Sequence, residues 1–337
     1  MAAIKKKMKI AIMSLKAPPV SGEWFNLHTD KLELVQSANE SDYIIFESNG
    51  DPVQLIEHIK CNFEKEKLVF ILSGDTYNHI DNECIWFTNA VKPSGLALKQ
   101  TQIFVTNPAI FKYYEILKTQ TQSKIQKELL ESSHKTDIYF KGTIWDGMRT
   151  DMYNAFANKP NCKIIKNNDY WKWRCESVVK PTQAELEKVA YDSYKDICVS
   201  RLCLCPKGNG NSSMRIIEAI ACGSIPILIN DFSAPFGLPW NGTDDIFSNN
   251  KSSDSIGLVF NTKIHSWDEI YNECNKLIND KPRYDAMKKR GLEYFKNVIY
   301  VDSKLNSFNM YNNIDTVCFG FSKIIIDKLY EIFKNNN

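Results

Sequence analysis

The chain has 337 residues, of which 43% are hydrophobic and 24% charged, and its 42 basic and 40 acidic side chains give a net charge of +2. This composition is that of a folded globular protein and excludes an intrinsically disordered one. The near balance of charge gives no reason to expect a nucleic-acid partner, because a phosphate-backbone surface normally shows as a basic excess. A chain of this length predicts two α/β domains.

In the first part of the chain, short apolar runs alternate with helical patterns. The runs are bounded by polar or glycine residues and predict strands at 9–15, 43–46, 68–72 and 103–106. Helical periodicity predicts helices at 53–58 and 109–117. Strands that alternate with helices indicate βαβ units and a parallel sheet. We therefore assign residues 1–125 to an N-terminal Rossmann-like domain, followed by a connector at 126–136.

A second α/β set follows the connector and predicts a C-terminal Rossmann-like domain over residues 137–315. The predicted strands of this set lie at 137–141, 163–166, 197–205 and 225–230. The predicted helices lie at 148–158, 183–194, 213–222 and 267–277. Residues 316–337 end the chain with an amphipathic helix that could pack back on the first domain. Two such domains in tandem predict ligand binding in a cleft, at the carboxyl ends of the parallel strands.

Cysteines and apolar segments bear on the location of the protein. Ten cysteines are scattered along the chain without a C-x-x-C motif, and we interpret all of them as reduced thiols that pack as small hydrophobic side chains. No segment reaches the about 18 apolar residues of a membrane span. The sequon at Asn211 falls in the loop assigned below to phosphate binding, where a glycan would block the site. These features together predict a soluble, cytoplasmic protein.

The segment 197–231 carries most of the functional argument. It reads as a buried strand, a glycine loop, an amphipathic helix, a glycine stop and a second buried strand. Gly208 and Gly210 let the backbone approach a ligand closely, and Ser212 or Ser213 can cap the helix. The free N–H groups at the start of a helix attract an anion, so the pattern predicts a phosphate site.

Arg215 and Glu218 share the helix face opposite the apolar one, because they are three residues apart. If that face looks into the cleft, the cation suits a phosphate and the carboxylate suits the two hydroxyls of a ribose. The alternative interpretation is a capped surface helix that carries an ordinary Arg–Glu pair.

Three motifs, two within segment 197–231 and one upstream of it, together resemble those of a known enzyme family. Residues 203–208 read Cys-Leu-Cys-Pro-Lys-Gly, 213–219 read Ser-Met-Arg-Ile-Ile-Glu-Ala, and 139–149 read Tyr-Phe-Lys-Gly-Thr-Ile-Trp-Asp-Gly-Met-Arg. These segments are similar to the signature of the exostosin-like glycosyltransferases of family 47, over residues 137 to 300. The resemblance implies an α/β fold of two Rossmann-like domains facing a cleft (the GT-B type), a nucleotide-sugar donor and inversion at the anomeric carbon. Many family members have a Golgi membrane anchor, and a chain without one suits a viral, bacterial or protist version.

The resemblance also implies roles for individual residues. Arg149, beside the Gly142 turn, would neutralise the donor diphosphate, Ser213 would cradle phosphate with the help of Arg215, and Glu218 would hold the ribose. The rest of the predicted donor loop consists of Lys207, Gly208, Gly210, Asn211 and Ser212. Fixed cations stabilise a leaving UDP without a metal, so we expect neither a metal nor a cofactor besides the donor. The pair Asp244–Asp245 is interpreted as a solvated turn.

The acceptor side of the reaction is less well defined by the sequence. An inverting transfer needs a general base, expected from the acceptor-binding first domain at the carboxyl end of a strand. Asp75 is the first candidate, although it could equally be a turn former, and Glu47 is the second. Trp24 and His28 are candidate acceptor contacts. Candidates for stacking on the base or sugar, although core packing is the commoner use of tryptophan, are Trp145, Trp171 and Trp173.

The sequence leaves the sugar and two other function classes open. By the range of the family, UDP-xylose ranks first, before UDP-galactose, UDP-glucuronate and UDP-N-acetylglucosamine, with a carbohydrate acceptor in glycan synthesis. The spacing Gly208-x-Gly210-x-x-Ser213 with Asp231 further on imitates a dinucleotide fingerprint, which keeps an NAD-linked oxidoreductase as an alternative, although the third glycine is missing. A non-catalytic module that binds nucleotide sugars or glycans is the other alternative.

Overall fold

The structure is a computed structural model of the whole chain. It describes residues 7–14, 30–48, 53–72, 83–88, 100–102, 105–106, 109–120, 136–144, 147–168, 177–179, 181–208, 213–230, 255–300, 317–318 and 322–336. Within these residues, no helix is long and apolar enough to cross a bilayer.

The N-terminal half folds around a six-stranded sheet with the order β2-β1-β3-β4-β5-β6, in which all neighbouring strands run parallel. Its strands are β1 (Met8–Ser14), β2 (Leu32–Leu34), β3 (Tyr43–Ser48), β4 (Leu68–Leu72), β5 (Ile85–Thr88) and β6 (Gln100–Gln102). Helix α1 (Val53–Asn62) connects β3 to β4, and helix α2 (Ala109–Gln120) follows the short strand β7 (Val105–Thr106). The strand order reverses between β1 and β3, as in doubly wound folds.

The C-terminal half repeats this topology in a five-stranded parallel sheet with the order β12-β11-β10-β8-β9. Its strands are β8 (Thr136–Gly142), β9 (Cys162–Lys166), β10 (Ser200–Pro206), β11 (Ile225–Asn230) and β12 (Leu258–Asn261). Its helices are α3 (Gly147–Phe156), α4 (Gln183–Cys198), α5 (Arg215–Ala221), α6 (Trp267–Asn279) and α7 (Lys281–Tyr294), which continues as a π-helical segment, Phe295–Tyr300. Here the order reverses between β8 and β10.

Helices cover both faces of the second sheet, as its continuous apolar runs require. Side chains alternate across β8, so Ile138 and Phe140 pack with Met152 and Phe156 of α3. Tyr139 points to the opposite face and packs with the core cluster that includes α4 and α5. Every residue of β11 is buried, which matches the apolar run of its first five side chains, and Asn230 at its end is buried as well.

The two halves contact each other through helices. On α2, Tyr113 lies 5.3 Å from Tyr194 of α4 between ring centroids, and Lys112 forms an ion pair with Glu187 of α4 at 2.5 Å. The C-terminal helix α8 (Ser322–Asn336) reaches the first sheet, where Asp327 pairs with Lys31. Strand β13 (Val317–Cys318) pairs antiparallel with β7.

The expected α/β fold class, with two Rossmann-like domains, is confirmed. Predicted helices and strands are found close to their expected bounds, and β4 and β11 coincide with them. Of the strand predicted at 103–106, the last two residues are found as β7, and residues 103–104 lie outside the described part of the chain. The cap predicted at Ser213 is wrong, because α5 begins at Arg215 and its N-cap, Met214, makes no side-chain hydrogen bond.

Candidate functional site

The candidate site lies at the carboxyl ends of β8 and β10, where the order of the second sheet reverses. The chain leaves β8 toward α3 on one face of the sheet and leaves β10 toward α5 on the other face. Neighbouring parallel strands whose connections leave in opposite directions open a crevice between their loops. Doubly wound folds bind their ligands in this crevice.

Arg149, in the first turn of α3, joins the two loops at this point. Its Nε donates to the carbonyl oxygen of Lys207, after β10, at 3.1 Å, and its Nη1 donates to the carbonyl oxygen of Thr143, after β8, at 2.9 Å. At least two of the five guanidinium N–H donors are therefore used to fix its orientation. The predicted donor residues Arg149 and Lys207, 58 positions apart, are brought into direct contact.

A second group of charged and polar side chains lies on the α5 side of the sheet. Arg215 donates from Nη2 to the carbonyl oxygen of Lys141, near the end of β8, at 3.1 Å. Its Nη1 lies 2.7 Å from Oε2 of Glu218, and the hydroxyl of Tyr194 donates to Oε1 of Glu218 at 3.2 Å. We call Arg215, Glu218, Tyr194 and Tyr139 the buried polar cluster.

Glu218 is only 4% exposed, so its side chain is buried in the ligand-free protein and does not lie on an open helix face. Helix α5 has seven residues and lies between the sheet and α4, so all residues from Ile216 to Ala221 are buried. The alternative of a surface helix with an ordinary Arg–Glu pair is wrong for the same reason. The ion pair exists, but it belongs to the interior.

Burial and charge oppose each other in the buried polar cluster. Burial raises the pKa of Glu218, whereas the charge of Arg215 and the hydrogen bond from Tyr194 lower it, and the net direction is upward. Burial acts to lower the pKa of Arg215, but the Glu218 carboxylate raises it, and the net direction is again upward. Burial raises the pKa of Tyr139 and of Tyr194.

Two buried oxygens of the cluster have no hydrogen-bond partner within the described part of the chain. They are Oε2 of Glu218, whose contact with Arg215 is an ion pair outside hydrogen-bond geometry, and the hydroxyl of Tyr139. Buried polar atoms without a partner are rare in native proteins and call for an explanation. Oε2 of Glu218 is an acceptor that a ligand donor would satisfy.

The remaining described donor residues have mixed outcomes. Gly142 ends β8 rather than forming a turn, and a Cβ placed there would lie 2.8 Å from the Phe140 ring, which accounts for the glycine. The amide of Lys207 donates to the carbonyl oxygen of Ile229 at 2.9 Å, which ties the loop after β10 to β11. Ser213 and Gly208 are half-buried on either side of the undescribed residues 209–212.

Asn168, which the sequence analysis missed, holds the loop after β8. Its Oδ1 accepts from the amide of Ile144 at 2.8 Å, and its Nδ2 donates to the carbonyl oxygen of Ile144 at 3.2 Å. The signal was present in the sequence, since Asn-Asn-Asp directly follows β9. Asparagine after a strand is also common in ordinary turns, and this composition alone does not select it.

Several predicted residues lie outside the described part of the chain, and the predictions on them stay predictions. They are Asp75, Trp24, His28, Trp145, Trp171, Trp173, Gly210, Asn211, Ser212, Asp244 and Asp245. The backbone of Glu47 lies in β3, in register with Ser14 of β1 and Ile71 of β4, but its side chain is outside the description. Among the described residues, no group of three or more His, Cys, Asp or Glu side chains could hold a metal ion.

The geometry is that of the crevice in which doubly wound α/β folds bind ligands, and a family comparison identifies the class of enzyme. The Exostosin GT47 domain family matches residues 97–270, more than half of the chain. The chain belongs to this family, and the resemblance inferred from its motifs is confirmed. The protein is therefore a glycosyltransferase, which transfers a sugar from a donor to an acceptor.

Comparison with solved structures gives distant similarities. One is a glycosyltransferase from Rickettsia africae, at 10% identity and a TM-score of 0.40 over 98% of both chains. Another is a sucrose-phosphate synthase from Thermosynechococcus elongatus, at 10% identity and a TM-score of 0.36 over 98% of this chain and 99% of that chain. No curated protein matches the sequence. Similarities this weak add nothing to the assignment of individual residues.

Proposed function

We propose that this glycosyltransferase takes its sugar from a UDP-sugar and transfers it, with inversion, to a carbohydrate acceptor. The observation that carries the proposal is Arg149, whose guanidinium is held between the loops after β8 and β10 by the carbonyl groups of Thr143 and Lys207. A fixed cation at this point is suited to the diphosphate of a nucleotide sugar. Among donors, UDP-xylose ranks first, followed by UDP-galactose, UDP-glucuronate and UDP-N-acetylglucosamine.

The diphosphate is proposed to bind along the carboxyl edge of the second sheet. Lys141, Lys166 and Lys207 lie at or just after the carboxyl ends of β8, β9 and β10, and we propose that they add positive charge at this edge of the sheet. The bond from the sugar to UDP breaks with negative charge on the leaving diphosphate. Fixed cations stabilise that charge without reorganisation, so we propose that transfer needs no metal and no cofactor other than the donor.

The ribose is proposed to bind at Glu218. Its Oε2 is buried, lies 2.7 Å from Arg215 Nη1 and makes no hydrogen bond within the described residues, so we propose that its second lone pair accepts from a ribose hydroxyl. The Tyr194 hydroxyl and the Arg215 guanidinium hold the carboxylate from two sides. The glycine loop with Gly208, Gly210, Asn211, Ser212 and Ser213 precedes α5, and we propose that it lines the phosphates.

The acceptor and the general base are proposed to come from the first domain. Glu47 lies next to β1 across the switch point of the first sheet, and Asp75 follows β4. We propose that one of these two carboxylates takes the proton of the acceptor hydroxyl. Trp24 and His28 are the proposed contacts with the acceptor. The residues proposed to stack on the nucleobase or the sugar of the donor are Trp145, Trp171 and Trp173.

Ligand-dependent melting tests the donor class. UDP should raise the melting temperature in EDTA as well as in magnesium, because a ligand at 100 times its Kd stabilises the folded state by about 2.7 kcal/mol. Stabilisation by NAD and not by UDP would refute the proposal in favour of an oxidoreductase. Turnover of each of the four UDP-sugars with a panel of oligosaccharide acceptors then identifies the sugar that is transferred. NMR of the product shows its anomeric configuration and tests inversion. UDP binding without any turnover would support the non-catalytic alternative.

A matched pair of arginine variants tests the site. Arg149→Ala should weaken UDP binding by about 10- to 100-fold, the range of a hydrogen bond to a charged group. Arg201→Ala is the control, because Arg201 pairs with Asp137 at 3.4 Å near the amino ends of β10 and β8, at the opposite edge of the same sheet. Equal UDP affinity in the two variants would contradict the assignment of Arg149.

A further inference from the structure

We propose that Asn168 is a positioning residue of the donor site, which fixes the carbonyl group that orients Arg149. The inference rests on the proposed function, since Arg149 is the proposed diphosphate contact. Asn168 follows β9, which is the edge strand next to β8. Its side chain acts on the donor through the loop after β8.

Beyond the end of β9, the side chain of Asn168 makes the hydrogen bonds to the residues after β8 that a neighbouring strand would otherwise make. Regular pairing of β8 with β9 ends at Gly142 and Lys166. One bond beyond it, the amide of Asn167 donates to the carbonyl oxygen of Gly142 at 2.9 Å. The Asn168 amide then satisfies both backbone groups of Ile144, at 2.8 and 3.2 Å. An asparagine side chain has the donor and the acceptor that this double contact requires.

The double contact with Ile144 fixes the carbonyl group of Thr143, to which Arg149 donates a hydrogen bond. Thr143 lies between the two anchored residues, Gly142 and Ile144, and its carbonyl oxygen accepts from Arg149 Nη1 at 2.9 Å. The other described bond of Arg149 goes to Lys207, on the loop after β10. Loss of the Asn168 amide would leave the bond from the Asn167 amide to Gly142 and the bond from the Thr143 hydroxyl to the Asn167 carbonyl oxygen at 3.4 Å, but it would remove both bonds to Ile144. The Thr143 carbonyl group would then be held less firmly, so the guanidinium would be less well oriented.

A double-mutant cycle separates this role from a merely structural one, because residues that act through one another are not additive. Asn168→Ala should weaken UDP binding by about 5-fold, which corresponds to the loss of a neutral hydrogen bond of about 1 kcal/mol. In the Arg149→Ala background, the same change should have an effect of less than about 2-fold. Asn168→Asp keeps the acceptor but places a carboxylate against the Ile144 carbonyl, so it should resemble Asn168→Ala. The control is Asn158→Ala, in the exposed turn after α3.

Steady-state kinetics provide a second measure. The Asn168 variants should raise KM for the donor and leave KM for the acceptor unchanged. An equal loss of UDP affinity in both backgrounds would overturn the inference, because Asn168 would then act independently of Arg149. Failure of both Asn168 variants to fold, judged by circular dichroism without ligand, would also overturn it. Normal UDP binding by Arg149→Ala would instead refute the proposed function, whatever the Asn168 variants do.

Discussion

Removing the carboxylate of Glu218 tests whether the buried polar cluster stabilises the fold. Glu218 is 4% exposed, and its carboxylate meets Arg215 at 2.7 Å and the Tyr194 hydroxyl at 3.2 Å. Loss of one partner of a fully buried ion pair destabilises a protein by about 3–5 kcal/mol, because the remaining charge is left uncompensated. The Arg215 side chain is 21% exposed and would keep its hydrogen bond to the Lys141 carbonyl oxygen. The expected loss of stability is therefore at the lower end of this range.

We therefore expect Glu218→Ala to lower the free energy of unfolding by about 3 kcal/mol. The control is Lys195→Ala, which breaks an ion pair with Asp192 of the same i,i+3 spacing at 3.2 Å, with side chains 66% and 55% exposed. Exposed pairs of this kind contribute about 0.5 kcal/mol or less. The two variants compare ion pairs of the same i,i+3 spacing inside the protein and on its surface.

Urea unfolding of the ligand-free protein, followed by far-ultraviolet circular dichroism, measures the difference. With an m-value of about 3 kcal/mol/M, Glu218→Ala should shift the midpoint by about 1 M, whereas Lys195→Ala should shift it by about 0.2 M or less. Equal shifts in the two variants would refute the reasoning, because Glu218 would then behave as a surface residue. Loss of UDP affinity at an unchanged midpoint would assign Glu218 to ligand binding alone.

Three further predictions concern catalysis, donor binding and a helix cap. Asp75→Asn should leave UDP affinity unchanged and reduce transfer by about 10²–10⁴-fold, whereas full activity would move the base to Glu47. Arg149→Ala should reduce UDP affinity and turnover together, because a phosphate contact serves both the ground state and the transition state, and parallel titrations and initial rates check this. Ser266→Ala should destabilise the protein by about 1 kcal/mol in urea unfolding at pH 7, because Ser266 caps α6 in a capping box with Glu269. The backbone amide of Ser266, and after it the Ser266 hydroxyl, lower the pKa of Glu269 below its usual 4.5. Ser266→Ala removes only the hydroxyl, which donates to Oε2 of Glu269 at 2.9 Å, so this part of the penalty is present above pH 4.5 and is lost as the pH falls through the lower folded pKa; a penalty that grows on acidification would contradict it.

Local features of the fold could be read from the sequence because they depend on neighbouring residues. The buried strand at 225–230 and the spacing that puts Arg215 and Glu218 on one helix face are fixed by strand and helix geometry, and the structure contains both. Gly223, with φ of +74°, ends α5 in the left-handed conformation that glycine adopts without strain. The family motifs selected Arg149 and Lys207, and both residues lie at the candidate site.

The tertiary structure decided which of these groups meet and which are buried. Whether a helix face is open or buried depends on what packs against it, and α4 packs against the face that carries Glu218. The contacts of Arg149 with Lys207, and of Asn168 with Ile144, join positions 58 and 24 residues apart. Such contacts depend on the strand order that makes β8 the neighbour of both β9 and β10. Periodicity and spacing report local geometry, whereas strand order is set by packing over the whole domain.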